Sequence, residues 1–201
     1  NLTRFSFYFP ERRQFFLENS GMFLVGDGEN IEPFFSRRIG LDDNGNPIPL
    51  LVGAKYTDRT VKRSLGALYV LQDSYDSIPN THFSTLRYMH NYGGANNVGV
   101  LLTNKYASSE QVNTVASVSG LHRSGENWQF KYLFSHSTDK NHSNSVSGFG
   151  GNFNLDYASN NMFFSSNHSL ISKSYLPGIG FVSRGNLLTH NTGIIPIIRP
   201  K

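Results

Sequence analysis

The sequence predicts an all-β chain, with an antiparallel up-and-down transmembrane β-barrel favoured over a soluble sandwich. Three observations point there. Aromatic residues are plentiful as Phe (16) and Tyr (10) against one Trp, in a chain rich in Gly, Ser and Asn and only 16% charged, a composition suited to many strands joined by polar turns. From Leu50 onward the chain falls into segments of about ten residues, the length of a tilted membrane strand rather than the five or six common in soluble sheets. Within these segments apolar and polar residues alternate.

The segments follow one another as LLVGAKYT (50–57), SLGALYVLQD (64–73), THFSTLRYMH (81–90) and NVGVLLTNKYA (97–107). VNTVASVSGLH (112–122), NWQFKYLFSHS (127–137), VSGFGGNFNLDYA (146–158) and NMFFSSNHSLI (161–171) complete the meander. DRTVKR, NYGGAN and RSGEN read as tight turns, whereas SYDSIPN, SSEQ and DKNHSNS read as more open loops. Short turns at one end and longer loops at the other are the habit of outer-membrane barrels.

Faces carry the clearest signal. Phe149, Gly151, Phe153, Leu155 and Tyr157 share one parity and Gly150, Asn152, Asn154 and Asp156 the other. Phe130, Tyr132 and Phe134 oppose Gln129, Lys131 and Ser135, and Leu65, Ala67, Tyr69 and Leu71 share one side of their segment. In a soluble sandwich the apolar side would meet a second sheet; in a membrane barrel it would meet lipid while the polar side lined the lumen. Tyr near segment ends (Tyr56, Tyr69, Tyr88, Tyr106, Tyr132, Tyr157) tilts the choice toward lipid, because an aromatic girdle sits at the headgroups.

Several classes are disfavoured. No run approaches 18 apolar residues, so no transmembrane helix is expected. Without Cys there are no disulfides, thiolate metal sites or Cys nucleophiles. Lys and Arg exceed Asp and Glu by 18 to 14 without forming a block, which gives no reason to expect nucleic acid as a partner. The chain begins at Asn1 with no initiator Met or leader pattern, so any targeting segment is expected outside the numbered residues.

The most distinctive chemistry lies in FYFPERRQFFLENSG (7–21), where aromatic rings surround charges. Glu11, Arg12, Arg13 and Glu18, with Arg37, Arg38 and Lys55, are the candidate lumen or binding residues. They could select solutes in a pore, or form ion pairs that brace the interior or hold an N-terminal segment inside it; matched signs favour bracing. Glu29 with Glu32, or Asp42 with Asp43, could act as a glycosidase pair only if held about 5–10 Å apart, and their Gly, Pro and Asn-rich surroundings read as loops. Asp27, Asp42, Asp43 and Asn44 lack the EF-hand pattern, and His136, His142 and Asp139 in SHSTDKNH read as a polar loop rather than a metal site. There is no GxSxG elbow or HExxH, and GFGGNF (148–153) reads as a bulge or close packing within a strand. The sequence therefore names no catalytic residue, metal or cofactor.

NLTRFSFYFPERRQFFLENSGMF (1–23), FFSRRIGL (34–41), LLVGAKYTDRT (50–60) and YLPGIGFVSRGNLL (175–188) resemble the domain-of-unknown-function family 5916, typical of Bacteroidota and related bacteria. The resemblance implies an outer-membrane β-barrel domain of a Gram-negative envelope, usually preceded by a family-9-like carbohydrate-binding domain and longer than this chain. Residues 1–201 would then be the N-terminal portion of such a barrel, one incomplete domain, with residues 1–49 its N-terminal segment and first strands and residues 50–201 its strand meander. The expected role is non-enzymatic passage or capture of a solute, glycan-derived if the upstream module is present. The alternatives are a sealed structural or partner-binding barrel and an envelope carbohydrate hydrolase. The expected partners are the lipid bilayer, a carbohydrate or another small solute, and other envelope proteins.

Overall fold

The computed structural model describes residues 11–42 and 45–198. The rings Phe7, Tyr8 and Phe9, and the turn residues Asp43 and Asn44, lie outside the described residues. Among the described residues a short helix, α1 (Gln14–Leu17), and a two-residue strand, β1 (Ile31–Glu32), come first, with single three-ten turns at Ser20–Met22 and Ser36–Arg38.

The meander follows as β2 (Leu50–Arg59), β3 (Arg63–Gln72), β4 (Thr81–Asn91), β5 (Asn97–Ser108), β6 (Gln111–Ser124), β7 (Trp128–Asn141), β8 (Asn144–Ala158) and β9 (Met162–Ile171). After a long connection containing β10 (Phe181–Val182) comes β11 (Leu187–Pro196), the last regular element among the described residues. β2 to β9 pair antiparallel with their sequence neighbours, and β11 pairs with β9, giving one nine-stranded sheet with β2 and β11 as its edges. The protein is thus all-β, and among the described residues the sheet does not close. No described helix is long and apolar enough to cross a membrane.

All eight segments read from the sequence are strands, lengthened at their ends in β6, β7 and β8. Two connections differ from expectation. SSEQ and DKNHSNS are not open loops: β5 to β6 and β7 to β8 close through residues 109–110 and 142–143 alone. Strand pairing continues past Asp139 and Ser145 as far as Asn141 and Asn144, with Asp139 accepting from Asn113 Nδ2 at 2.8 Å and His142 at φ 54° completing the tight turn. The opposite end carries only the short connections 60–62, 92–96, 125–127 and 159–161, and the end with these two turns also carries the longer 73–80 and 172–186, so the expected contrast is lost at two connections only. β11 has no one-sided apolar pattern in its sequence and is recruited by pairing along the whole of β9.

The two faces of the sheet have different fates. One is covered by residues 11–41 and by the connection 172–186, which join each other through the β1–β10 pair. Phe16, Met22, Phe23, Ile31, Phe34, Tyr175 and Ile179 from the covering segments pack with Leu68, Val70, Phe83, Leu101, Leu133 and Ile171 of the sheet. Burial of this kind contributes roughly 1.5–3 kcal/mol per large aliphatic or aromatic side chain. The covering chain lies close because strand positions beneath it lack side chains: a Cβ on Gly66 would stand 2.9 Å from the Phe23 ring, and one on Gly150 2.7 Å from Ile31 Cδ1. GFGGNF is therefore a close-packing feature.

The other face is bare and apolar. Leu86, Val100, Leu102, Val118, Phe149 and Leu170 stand on it, and Phe134 is 66% exposed. Aromatic residues gather at both ends of this band. At one end Tyr69, His82 and Tyr106 form a row with centroids 6.1 and 6.0 Å apart, tied by a 2.8 Å hydrogen bond between Tyr69 Oη and His82 Nδ1. At the other end Tyr92, His122, Phe130, Trp128 and Tyr157 run in contact, from 6.4 Å down to 4.8 Å between centroids. Of the expected girdle, Tyr56 departs: its register opposite Ala67 puts it level with the middle of the band.

Candidate functional site

The charged residues singled out in the sequence divide into a brace and an exposed remainder. Glu11 and Arg13 form an ion pair at 2.8 Å. Glu11 also accepts hydrogen bonds from the Arg12 and Arg13 backbone N–H groups and from Ser36 Oγ at 2.8 Å. Arg13 donates to the carbonyls of Ile39 (2.6 Å) and Ser36 (2.9 Å) and lies over the Phe16 ring at 4.2 Å. Although burial alone would raise it, these hydrogen bonds and the Arg13 charge hold the Glu11 carboxyl down at about 2. The pair fastens the beginning of the covering segment to the three-ten turn that contains Arg37 and Arg38.

Lys55 reaches from β2 to the carbonyls of Phe15 and Glu18, the latter at 2.6 Å, with its ammonium 5.1 Å from the centre of the Phe15 ring. It thereby satisfies carbonyls at the end of α1, where a cation is favoured. Arg12 and Glu18 are exposed. Lys55→Met keeps the stem and removes the cap, an expected loss of about 1.4 kcal/mol. Amide exchange at Leu17 and Glu18 should then accelerate about tenfold while the β6–β7 amides stay unchanged.

The connection 172–186 is stitched down by polar residues on the covered face, which sequence reasoning passed over. Tyr175 Oη meets Ser135 Oγ at 2.6 Å, and Ser135 meets Ser117 at 2.8 Å. Leu176 N–H donates to Ser137 Oγ at 2.9 Å. Asn113 accepts from Gly178 N–H at 2.7 Å and donates to the Leu176 carbonyl at 2.8 Å. Small polar residues on the inward parity thus serve as hydrogen-bond posts for a segment that arrives from far along the chain. A run of inward Ser and Asn beside strand glycines was the available signal.

Of the two acidic pairs, only Glu29 and Glu32 lie wholly among the described residues, and their surroundings differ. Glu29 is exposed, whereas Glu32 is 3% exposed and its Oε2 has no hydrogen-bond partner. Burial, together with the nearby Asp27 charge, pushes the Glu32 carboxyl up to about 7. Asp27 is held below its ordinary value by N–H donors of Ile31, Asn30 and Glu29, which outweigh its burial. Asp42 caps its own turn, accepting from Asn46 N–H at 2.7 Å. His136 and Asp139 lie within β7 on opposite faces, not in a loop, and the described residues contain no cluster of three His, Cys, Asp or Glu able to hold a metal.

Beyond the apolar packing, the covered face opens into a polar cleft of about 610 Å³, lined by Leu24, Val25 and Asp27 on one side and by β4 to β9 and β11 on the other. Arg87, Ser119, Lys131, Asn152, Asn154 and Asn191 line it. Compared with protein-family models, curated proteins and solved structures, the chain matches none.

Proposed function

We propose that the chain forms the N-terminal part of the wall of a bacterial outer-membrane β-barrel and captures a polar solute on its inner side, without catalysing a reaction. The observation that carries this reading is the bare face: an apolar band edged at both ends by aromatic rows. From His82 to His90, β4 covers about 26 Å at ~3.3 Å per residue, or about 20 Å at a strand tilt near 40°, close to the ~25 Å apolar band of such barrels. A soluble sheet would leave this face to a second layer, and no described segment covers it. The covered face supplies the complementary half, polar and partly filled by the chain's own N-terminal segment. The two unpaired edges call for further strands, because lipid leaves no solvent to satisfy an open edge. The resemblance to family 5916 implies the same envelope setting, with a carbohydrate or another small solute, and other envelope proteins, as partners.

The test is made on the full-length protein. It should sediment with outer membranes, migrate differently on gels before and after heating, and insert into planar bilayers with little steady conductance while the N-terminal segment is seated. Protein that stayed soluble after cell breakage and ran identically heated and unheated would overturn the barrel reading. A second reading, a sealed structural or partner-binding barrel, is favoured by the covering segments; it predicts the same gel behaviour with no solute bound.

A further inference from the structure

We infer that the polar cleft is a binding site for a hydroxyl-rich carboxylate, a sugar acid, with the carboxylate seated on Arg87. The inference rests on the solute-capture reading and names its ligand class.

Arg87 is 5% exposed and projects from β4 into the cleft. Its Nη2 donates to Ser119 Oγ at 3.0 Å, while Nη1 is buried without a partner. No carboxylate among the described residues pairs with it. Of the cleft's three acids, Asp27 is held by the backbone of its turn and Asp156 by Ser165 Oγ at 2.7 Å, while Glu29 is exposed and forms no ion pair with Arg87. A buried guanidinium is expensive without a counter-ion, and its planar fork is suited to two oxygens of one carboxylate. The position is also kept clear, because a Cβ on Gly99 would stand 2.9 Å from Nη1.

The remaining lining fits the rest of such a ligand. Asn152, Asn154 and Asn191 present amides, which both donate and accept as sugar hydroxyls do, and Asn154 Oδ1 is buried without a partner. Lys131, opposite Asn154 in the β7–β8 register, adds a second cation. The sheet's rings stand mainly on the bare face, leaving Arg87 rather than ring stacking as the anchor. A cleft of about 610 Å³ holds a ligand of one or two sugar rings.

The experiment is titration calorimetry of the detergent-solubilised full-length protein with D-glucuronate, D-glucose and inorganic phosphate. Glucuronate is expected to bind at least about tenfold more tightly than either comparator. Arg87→Gln should weaken glucuronate binding about tenfold or more, Arg87→Lys less, and the turn variant Lys62→Gln not at all. If Arg87→Gln does not fold, Asn154→Ala reads the same cleft from the hydroxyl side, with an expected several-fold loss for glucuronate. Equal binding of glucose or phosphate, no glucuronate binding up to about 10 mM, or unchanged binding in these variants would overturn the assignment. Heat-dependent mobility and membrane sedimentation read the wall separately: they would persist if only the ligand assignment failed.

Discussion

Ile31→Asp is expected to release the N-terminal segment from the sheet. Ile31 is fully buried, paired with Val182 across the β1–β10 ladder and seated over Gly150. A carboxylate there would be desolvated with no cation against it, and the cost, about 3 kcal/mol or more, exceeds what one short strand pair can offset. Gly150→Leu attacks the same contact from the sheet side, since even its Cβ would intrude on Ile31 and approach the Tyr175 ring to 3.3 Å. Each variant should make residues 11–41 sensitive to protease while the β4–β7 ladder keeps its slow amide exchange. The double variant should be scarcely worse than either single one, because the contact can be lost only once. On the proposed barrel reading, either change should raise conductance of the full-length protein in planar bilayers. Protease resistance in both would show that the segment is held by something other than this contact.

The second large effect is one of pH, and it comes from Glu32. Its carboxyl titrates near 7 in the folded protein against an ordinary 4.5, so the buried neutral form is the favoured one. Below about pH 4.5 the group is neutral folded or unfolded and the stability of the covering segment is complete. Between pH 4.5 and 7 only the released form loses its proton, and about 3 kcal/mol of seating free energy is lost by pH 7 and above. Glu11 acts in the opposite sense. With its carboxyl held at about 2, its contribution is present above pH 4.5 and disappears as pH falls through 2. Seating should therefore be strongest near pH 4–5. Exchange at Phe35 and Ser183, whose N–H groups bond Ile179 and Asn30 carbonyls, should accelerate from pH 5 to pH 8 beyond the intrinsic rate. Glu32→Gln should abolish that extra acceleration. A flat profile in the unsubstituted protein would contradict the assigned burial of Glu32.

Much of the sheet is legible in the sequence alone. Phe149, Phe153 and Tyr157 announce one face and Gly150, Asn152 and Asn154 the other, because strand periodicity is written into each segment separately. The role of Glu11 and Arg13 as a brace was also within reach, since matched charges two residues apart can pair locally. Arg87 was not singled out. A lone Arg in THFSTLRYMH carries no local sign that it will be buried without a counter-ion, and β11 carries no one-sided pattern that would announce a strand.

The sequence by itself determined the all-β class, the eight central strands and the assignment of apolar and polar residues to opposite faces, because a repeat of two residues fixes side-chain direction locally. Only the tertiary structure decided what lies on each face. That residues 11–41 cover Gly66 and Gly150, that Ser135 and Asn113 hold the connection after β9, and that Arg87 is left facing a cleft all depend on contacts between distant parts of the chain. Such contacts are set by which surfaces can be desolvated together, a property of the assembled sheet that no single segment carries.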